Sequence, residues 1–511
     1  MNVKILYLLE TMFLWVGCTN TNNGLVPADI EISSSSAQLD SAFNWAKNKA
    51  RSYVMTGKTG KINISENYEG EGNVNYIPSY WAGYPHRSAF YSRDYCHQMV
   101  GAHLLGLNEE NYTMLKSFVA TSTESRKWFP VWALNFDGSI FNLDYDNDTL
   151  FVREVPAAFE LVEKAYKQYL WTGDERLLTD STLLNYYKHI VTDFVTMHDK
   201  KIPNGVAEGT GTGHIFKGVA TYNEASDIPP FIEAGDGIAC QYQAFVSYAG
   251  FLRAKNETDK ANVWENKAAA LKNYFEKVWS NNKENGLYMI GYDANKKSHW
   301  IFNKETSWFM AKNFITDAAQ RNDQLLDYMT DVLKNPKEIP SNIEAITYLP
   351  DTYFPYNRVD EGWHWMRYIL NTYAQPHVVR LGGTNGDYPE VSYLIISSVV
   401  ENLMGIEPDA AHNKVATISR LPQEIKFLEV KNITLGKNQI MVRHEGNNST
   451  TIKHTYGTDK LKCLVRFYGV SNTLKVNEKE VVAVKSKLHG KSIFETTITL
   501  SQGEKAIVER P

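Results

Sequence analysis

An Arg and an Asp stand side by side where an aromatic loop gives way to an apolar segment. The loop is Tyr80-Trp81-Ala82-Gly83-Tyr84-Pro85, and the pair lies in Tyr91-Ser92-Arg93-Asp94-Tyr95-Cys96-His97-Gln98. Aromatic faces stack on pyranose rings, and the pair offers fixed donors and acceptors to hydroxyl groups. The other interpretation is a structural salt bridge at a helix N-terminus. The residues predicted to bind a sugar here are Trp81, Arg93, Asp94 and His97.

Hydrolysis of a glycosidic bond needs one protonated and one ionised carboxyl group. Asp236 and Glu390 each begin an apolar segment, and Asp236 is flanked by two glycines that would let a ligand approach. We therefore predict Asp236 as the general acid and Glu390 as the general base. The alternatives for these roles are Glu233 and Asp387, and Glu233 is also predicted to bind substrate. Asp236 could instead be a helix N-cap, and Glu390 could serve only the helix dipole.

A second cluster of acids and aromatics is Asp360-Glu361-Gly362-Trp363-His364-Trp365. We expect Glu361 and His364 to bind hydroxyl groups and Trp363 to stack on a sugar, the alternative being core packing. Four further residues remain open between the site and a structural role: Trp128, Trp132, Arg153 and Glu154.

No metal and no cofactor is predicted. Asp144, Asp146 and Asp148 alternate along one loop, but the Gly and Glu positions that complete an EF-hand loop are missing. Cys96, Cys240 and Cys463 lack the short spacing of a zinc site. We expect Cys96 and Cys240, which lie on apolar helical faces, to be core thiols.

The composition is that of a globular protein with a slight negative charge. The chain has 511 residues, a net charge of -5, and 13% aromatic residues, including 30 Tyr and 12 Trp. An acidic chain offers a nucleic acid no attractive surface. An oligosaccharide or polysaccharide is therefore the expected partner, and the chain is expected to be a monomer.

The first residues have the features of a bacterial lipoprotein signal. Lys4 precedes a short apolar run that ends at Gly17-Cys18, after which the sequence becomes polar. Such a run is too short to span a membrane. We predict a signal peptide over residues 1–18, a polar linker over 19–37, and a lipid on Cys18. The protein would then be held at the cell envelope, facing the periplasm or the cell surface, and would touch the membrane only through that anchor.

Apolar periodicity predicts about eleven helices between residues 38 and 408, alternating between uniformly apolar and amphipathic. Such pairs favour a double ring, with long loops on one side, among them residues 199–236, which carry the candidate acids, and residues 336–360. Short Val-, Ile- and Thr-rich segments follow from residue 409 to 511, with hairpin turns predicted at Gly436 and Gly446. The predicted fold class is therefore mainly α, an (α/α)6 toroid followed by a small antiparallel β-sandwich.

Several of these motifs resemble those of bacterial toroid glycoside hydrolases. Tyr91-Ser92-Arg93-Asp94 resembles the sugar-gripping loop of the family 15 glucoamylases. Ile232-Glu233-Ala234-Gly235-Asp236 resembles the general-acid loop of trehalases and processing α-glucosidases, with the Asp one residue early. Gly383 to Glu390 precedes the last inner helix, where these enzymes keep their base. Ile418-Ser419-Arg420-Leu421-Pro422 resembles the start of the β-sandwich in family 78 α-L-rhamnosidases, whose catalytic motif is absent.

The resemblance implies an exo-acting, inverting glycoside hydrolase. Two alternatives remain at this stage. One is an unsaturated-uronyl hydrolase or polysaccharide lyase on the same toroid. The other is a glycan-binding surface lipoprotein without catalytic activity.

The lipid anchor gives the first testable prediction. We expect the mature chain to begin at an acylated Cys18 and to fractionate with membranes. Mass spectrometry of the mature N-terminus measures both the first residue and the added mass. A chain that begins elsewhere and carries no acyl group would contradict the prediction.

Overall fold

The computed structural model describes residues 28–223, 229–281, 287–300, 304–316, 320–379 and 383–511. The predicted signal peptide, Cys18 and the first part of the predicted linker lie outside these residues. Helices occupy most of the chain before residue 404. Their bounds are α1 Ala37–Ser52, α2 Ser92–Leu104, α3 Asn108–Ala120, α4 Val155–Thr172, α5 Arg176–Thr179, α6 Ser181–His189, α7 Val195–His198, α8 Gly235–Ala254, α9 Thr258–Tyr274, α10 Lys304–Lys312, α11 Gln320–Val332, α12 Ile343–Thr347, α13 Leu349–Tyr353, α14 Val359–Thr372 and α15 Pro389–Ser397.

Strands are concentrated in the last hundred residues. Their bounds are β1 Glu31–Ser34, β2 Thr59–Ile62, β3 Glu71–Asn75, β4 Ala89–Tyr91, β5 Ala133–Asn135, β6 Tyr145–Asn147, β7 Leu150–Phe151, β8 Phe231–Ala234, β9 Gly291–Asp293, β10 Ser298–His299, β11 Glu407–Asp409, β12 Lys414–Ile418, β13 Phe427–Leu435, β14 Asn438–Glu445, β15 Ser449–Tyr456, β16 Leu461–Tyr468, β17 Thr473–Val476, β18 Lys479–Val482, β19 Val484–Leu488, β20 Lys491–Leu500 and β21 Lys505–Glu509.

Local signals in the sequence set the helix ends. The Ser36 side chain accepts a hydrogen bond from the Leu39 N–H and caps α1, and Asp180 caps α6 in the same way. Helix α4 ends at Gly173, which adopts φ 64°, a left-handed conformation that favours glycine. Three helices continue through a π-helical turn: α6 through residues 190–194 into α7, α9 through 275–279, and α15 through 398–403.

Six inner helices contact one another in sequence. The contacts join α2 to α4, α4 to α8, α8 to α10, α10 to α13, α12 to α15, and α15 back to α2. α12 and α13 follow each other directly and act as one inner element. An outer set of amphipathic helices covers them, with α3 on α4, α9 on α8, α14 on α13 and α1 on α15. The inner helices are buried on nearly all sides, as their uniformly apolar sequences predict.

The eleven predicted helices are all present, and the structure adds three short ones. α5, α12 and α13 fall in segments that the periodicity left as turns or loops. α12 and α13 lie within the predicted loop 336–360, because five-residue helices are too short to show a period of 3.6 residues.

The C-terminal region forms two sheets around one core. Strand order is β1-β13-β14-β15-β21-β17-β18 in the larger sheet and β11-β12-β16-β20-β19 in the smaller. The predicted hairpin turns at Gly436 and Gly446 join β13 to β14 and β14 to β15, and both glycines have positive φ. One expectation is wrong: the sheets are not purely antiparallel, because β12 and β16 pair in parallel.

The segment predicted as a linker contributes to this region. Glu31–Ser34 forms β1, which pairs antiparallel with β13 at the edge of the larger sheet. The C-terminal sheet therefore contains both ends of the described chain, and the linker prediction is wrong for these residues.

Within the residues that the structure describes, no helix is long and apolar enough to cross a membrane. Cys96, Cys240 and Cys463 are buried free thiols.

Close contact between α2 and α15 gives a stability prediction. A Cβ at Gly101 would lie 2.3 Å from the Tyr393 carbonyl oxygen, which belongs to the backbone and cannot move aside. Overpacking of about 3 kcal/mol outweighs the roughly 1 kcal/mol that Ala gains over Gly in a helix. We expect Gly101→Ala to lower the free energy of unfolding by about 2 kcal/mol, measured by denaturant titration.

Gly60→Ala is the matched control. Its Cβ would meet the hydroxyl end of the Tyr76 side chain, which can rotate away. A Gly101→Ala variant as stable as Gly60→Ala would show that α2 and α15 do not pack as described.

Candidate active site

A cavity of about 340 Å³ opens at the N-terminal ends of the inner helices. We call it the acidic cavity, because four carboxyl side chains line it. They are Asp94, Glu305, Glu344 and Glu390. Aromatic side chains form much of the remaining wall: Tyr84, Tyr91, Trp132, Tyr222, Tyr348 and Tyr388. A cavity with aromatic walls and several convergent polar groups is typical of a ligand site.

Each inner helix carries an acidic residue at its start. Asp94, Asp236, Glu305, Glu344 and Glu390 lie in the first turns of α2, α8, α10, α12 and α15, and Glu154 is the N-cap residue of α4. The partial positive charge of a helix N-terminus favours an acidic residue there. Because the inner helices start at the same end, these residues converge, and four of the six reach the acidic cavity.

Asp94 and Glu390 form a carboxyl pair. Both line the acidic cavity, and each influences the pKa of the other. Burial raises the pKa of both groups, and the charges of Asp94 and Glu344 raise that of Glu390 further. Only 2% of Glu390 is exposed.

Glu344 approaches the same pair from α12. Its carboxylate lies 3.2 Å from Nε2 of His377, whose ring stacks on Tyr388 with centroids 4.4 Å apart. Tyr388 in turn packs edge-on against Tyr84 at 5.8 Å. One side of the cavity is therefore a connected set of aromatic and charged groups, with Glu344 held in place.

Arg93 is fixed by groups on two neighbouring segments. Its Nη1 donates to the Tyr222 carbonyl oxygen at 3.1 Å and lies 3.6 Å from Oε1 of Glu154. Glu154, which is 1% exposed, also accepts a hydrogen bond of 2.9 Å from Nε1 of Trp132. Glu154 thus orients both the Arg and an aromatic wall residue from behind the cavity. Of the two residues whose role the sequence left open, Glu154 supports the cavity wall and Trp132 lines the cavity.

Arg87 is similarly engaged. Its Nε lies 3.0 Å from Oε1 of Glu66, and its Nη1 donates to the Tyr91 hydroxyl at 2.9 Å. Two of the cations lining the cavity, Arg87 and Arg93, are therefore already paired with carboxylates of the protein.

The structure does not bring Asp236 into the acidic cavity. The Asp236 carboxylate is fully buried and accepts hydrogen bonds from the Thr221 hydroxyl at 2.8 Å and the Tyr222 N–H at 2.7 Å. Burial raises its pKa to about 7, and Glu305 adds to the shift. This placement corrects the predicted position: Asp236 ties the start of α8 to the segment that carries Tyr222 and does not line the cavity.

Glu233 also lies outside the cavity. It is buried in β8, where it accepts hydrogen bonds from Asn204 at 2.9 Å and from Nε1 of Trp279 at 2.6 Å. Burial raises its pKa to about 7. Asp387, the alternative base, does not line the cavity. Its carboxylate forms an ion pair with Lys49 at 2.6 Å. Two other acids of the predicted acid loop, Glu224 and Asp227, lie outside the described residues.

Trp81 and His97 support the site from behind. Trp81 packs edge-on against Tyr53 and Phe136. The His97 ring stacks on Tyr348 with centroids 4.0 Å apart, and burial lowers its pKa well below the ordinary value. Neither residue lines the cavity, so their predicted contact with a sugar is not what the structure shows.

The sequence interpretation placed Glu361, Trp363 and His364 at the substrate site, but in the structure they do not line the acidic cavity. They lie on the outer helix α14, where Glu361 pairs with Arg358 at 3.3 Å and Trp363 donates a hydrogen bond to Glu424 of the C-terminal region. His364 is exposed and packs against Trp365. An aromatic-acid pattern alone does not distinguish an inner from an outer helix.

Two lining carboxyls, Glu305 and Glu344, were missed. The signal that could have found them is the one that identified Glu390: an acidic residue that starts a buried helix. Glu305 lies at the start of α10, and the residues that follow it in this helix are all buried. Glu344 was missed because the five-residue helix α12, on which it lies, was not predicted.

Metal binding finds no support in the described residues. Among them, no group of three or more His, Cys, Asp or Glu side chains could hold a metal ion. Asp148 of the alternating Asp loop pairs instead with Arg126 at 2.9 Å.

No family model and no curated protein matches this chain. Solved structures of similar fold include an α-L-rhamnosidase from Dictyoglumus thermophilum, with a TM-score of 0.59 and 13% identity over 95% of this chain and 51% of that one. A family 78 rhamnosidase of Bacillus sp. GL1 has a TM-score of 0.57 and 12% identity, and the match covers 81% of this chain and 40% of that one. A putative kojibiose phosphorylase from human microbiome has a TM-score of 0.54 and 10% identity, and the match covers 92% of this chain and 63% of that one.

At these identities the likeness shows a shared fold. It extends over both the helical and the C-terminal regions, since up to 95% of the chain is covered. The chain spans about half the length of the first rhamnosidase.

The carboxyl pair gives a prediction that needs no substrate. Replacing Asp94 by Asn removes a negative charge beside Glu390, so the pKa of Glu390 should fall toward its ordinary value. Burial remains, so it should stay raised. NMR titration of protein with ¹³C-labelled Glu side chains measures the shift. Asp387→Asn is the control, because Asp387 pairs with Lys49 and does not line the cavity. An unchanged Glu390 titration in Asp94→Asn would contradict the proximity of Asp94 and Glu390.

Proposed function

We propose that this protein is a glycoside hydrolase whose helical domain is an (α/α)6 toroid. The observation that carries the proposal is the acidic cavity itself, in which carboxyl groups converge within aromatic walls. Stacking surfaces with hydrogen-bonding groups suit a sugar ring, and paired carboxyls suit its hydrolysis. The ring of inner-helix contacts and the fold shared with rhamnosidases support the same proposal.

The roles of the two carboxyls are assigned from their environments. A general acid is typically a carboxyl whose pKa is raised by burial, so that it keeps its proton near neutral pH. Glu390 meets this condition, which reverses the base role predicted from its sequence position. Glu305 starts a different inner helix and influences Asp236 electrostatically. We assign Glu305 as the base that activates water.

We propose an exo-acting enzyme whose acidic cavity, of about 340 Å³, receives one terminal sugar. Arg93 and Asp94 would hold the hydroxyl groups of that sugar, and Trp132 would bound its apolar face. We propose inversion at the anomeric carbon, which requires the carboxyl groups of Glu305 and Glu390 to lie far enough apart to hold a water between them.

A lyase is less well supported by the same residues. A lyase needs a Tyr or His base and a cation that neutralises the substrate carboxylate. Burial raises the pKa of Tyr91, Tyr348 and Tyr388, which opposes their deprotonation. Arg87 and Arg93 are already engaged by Glu66 and Glu154. Attachment to the cell envelope through Cys18 remains part of the proposal.

Carboxyl-to-amide variants test the assignment. We expect Glu390→Gln and Glu305→Gln each to lose at least about 10²-fold in kcat, because the amide can neither donate the proton nor activate water. Asp236→Asn, which keeps the size of the side chain and one oxygen to accept from Thr221 and Tyr222, should remain active. Activity is measured on a glycan library by reducing-sugar release, with absorbance of unsaturated products as the readout for a lyase.

The outcomes separate the possible assignments. Loss of activity in Asp236→Asn with a fully active Glu305→Gln would restore Asp236 as the catalytic group. Glu224 follows Asn223, a cavity residue, in the sequence, so Glu224→Gln completes the set. Proton NMR of the first product tests inversion, and initial release of the retained anomer would reject it.

A further inference from the structure

A second cavity, of about 490 Å³, lies at the other end of the inner helices. We call it the interdomain cavity. Its walls come from the later residues of α4 and α10, from the π-helical turn after α15, and from Arg420 and His489 of the C-terminal region. It shares no lining residue with the acidic cavity. It is therefore a separate site, and the proposed hydrolysis makes no use of it.

The charges around the interdomain cavity balance. Four cations line it: Lys164, Lys167, Lys312 and Arg420. Four carboxylates also line it: Glu163, Asp351, Glu401 and Glu407. The C-terminal ends of helices add partial negative charge at this end. A charged ligand of either sign would meet groups of its own sign, so the electrostatics favour an uncharged ligand.

The wall charges are also satisfied internally. Lys164 lies 2.9 Å from Glu163, and Lys167 lies 2.9 Å from Glu401. Arg420 donates to the Tyr468 hydroxyl at 3.1 Å. Paired groups of this kind still offer donors and acceptors at fixed positions, which suits hydroxyl groups better than ions.

An aromatic residue in a strained conformation forms part of the wall. Phe314 adopts φ 60°, a conformation that a bulky side chain rarely takes. Its ring stacks on His489 of the C-terminal region with centroids 4.2 Å apart and planes 10° apart. Residues in such conformations cluster at ligand sites. Phe314 thus presents an aromatic surface beside the fixed donors and acceptors.

We propose that the interdomain cavity binds an uncharged mono- or disaccharide. The volume, the aromatic ring and the balanced polar groups each match such a ligand. This site goes beyond the proposed hydrolysis and is independent of it, because binding is measured without turnover.

Blocking the cavity tests the proposal. Val246 lines it from α8 and is 37% exposed, so Val246→Trp should fill space without disturbing the core. Phe314→Gly removes the ring and relieves the backbone conformation. Val263→Trp, on the exposed face of α9, is the matched control. Calorimetric titration uses D-glucose, D-mannose, D-galactose, L-rhamnose and maltose as neutral probes and D-glucuronate as the charged one.

We expect at least one neutral probe to bind with a Kd of about 1 mM or lower. Val246→Trp and Phe314→Gly should each weaken that binding about tenfold or more, whereas Val263→Trp should leave it unchanged. Circular dichroism confirms the fold of each variant, and either cavity variant alone decides the result. Neutral-sugar binding that neither variant alters, no binding of any neutral probe, or an effect confined to D-glucuronate would overturn the proposal.

Discussion

The common direction of the inner helices is the constraint on which the site depends. Six buried helices start at one end of the helical domain, and each has an acidic residue in its first turn or at its N-cap. Their positive N-terminal ends offset part of the repulsion among the carboxyls that meet there. Without that alignment, a cavity with four carboxyl groups would be electrostatically costly to fold.

The convergent acids nevertheless serve different purposes. Glu154 and Asp236 are buried and hold neighbouring segments, whereas Asp94 and Glu390 line the cavity and influence each other's pKa. Burial raises the pKa of Asp236 as it does that of Glu390, so a raised pKa does not by itself identify a catalytic group. Access to the cavity separates the two, and only Glu390 has it.

Sequence reasoning reached the helices, the C-terminal strands and the triplet Arg93, Asp94 and Glu390, because each depends on local patterns. It failed where the answer depends on which helix is inner. The Glu361 cluster sits on an outer helix, and Glu344 starts an inner one too short to show periodicity. The edge strand β1 was missed because three of its four residues are polar and its structure depends on pairing with β13.

The pairing of β1 also sets the order in which the chain can fold. Lys426 donates its N–H to the Ser35 hydroxyl, 391 residues earlier, and Tyr393 of α15 reaches back 343 residues to the Ala50 carbonyl of α1. A ribosome adds about 5–20 residues per second, so α1 and β1 wait on the order of tens of seconds for their partners to be made. Throughout that time the faces of α1 and α2 that pack on α15 lack this partner. The nascent chain is therefore a natural client for chaperones until α15 arrives to close the helical domain.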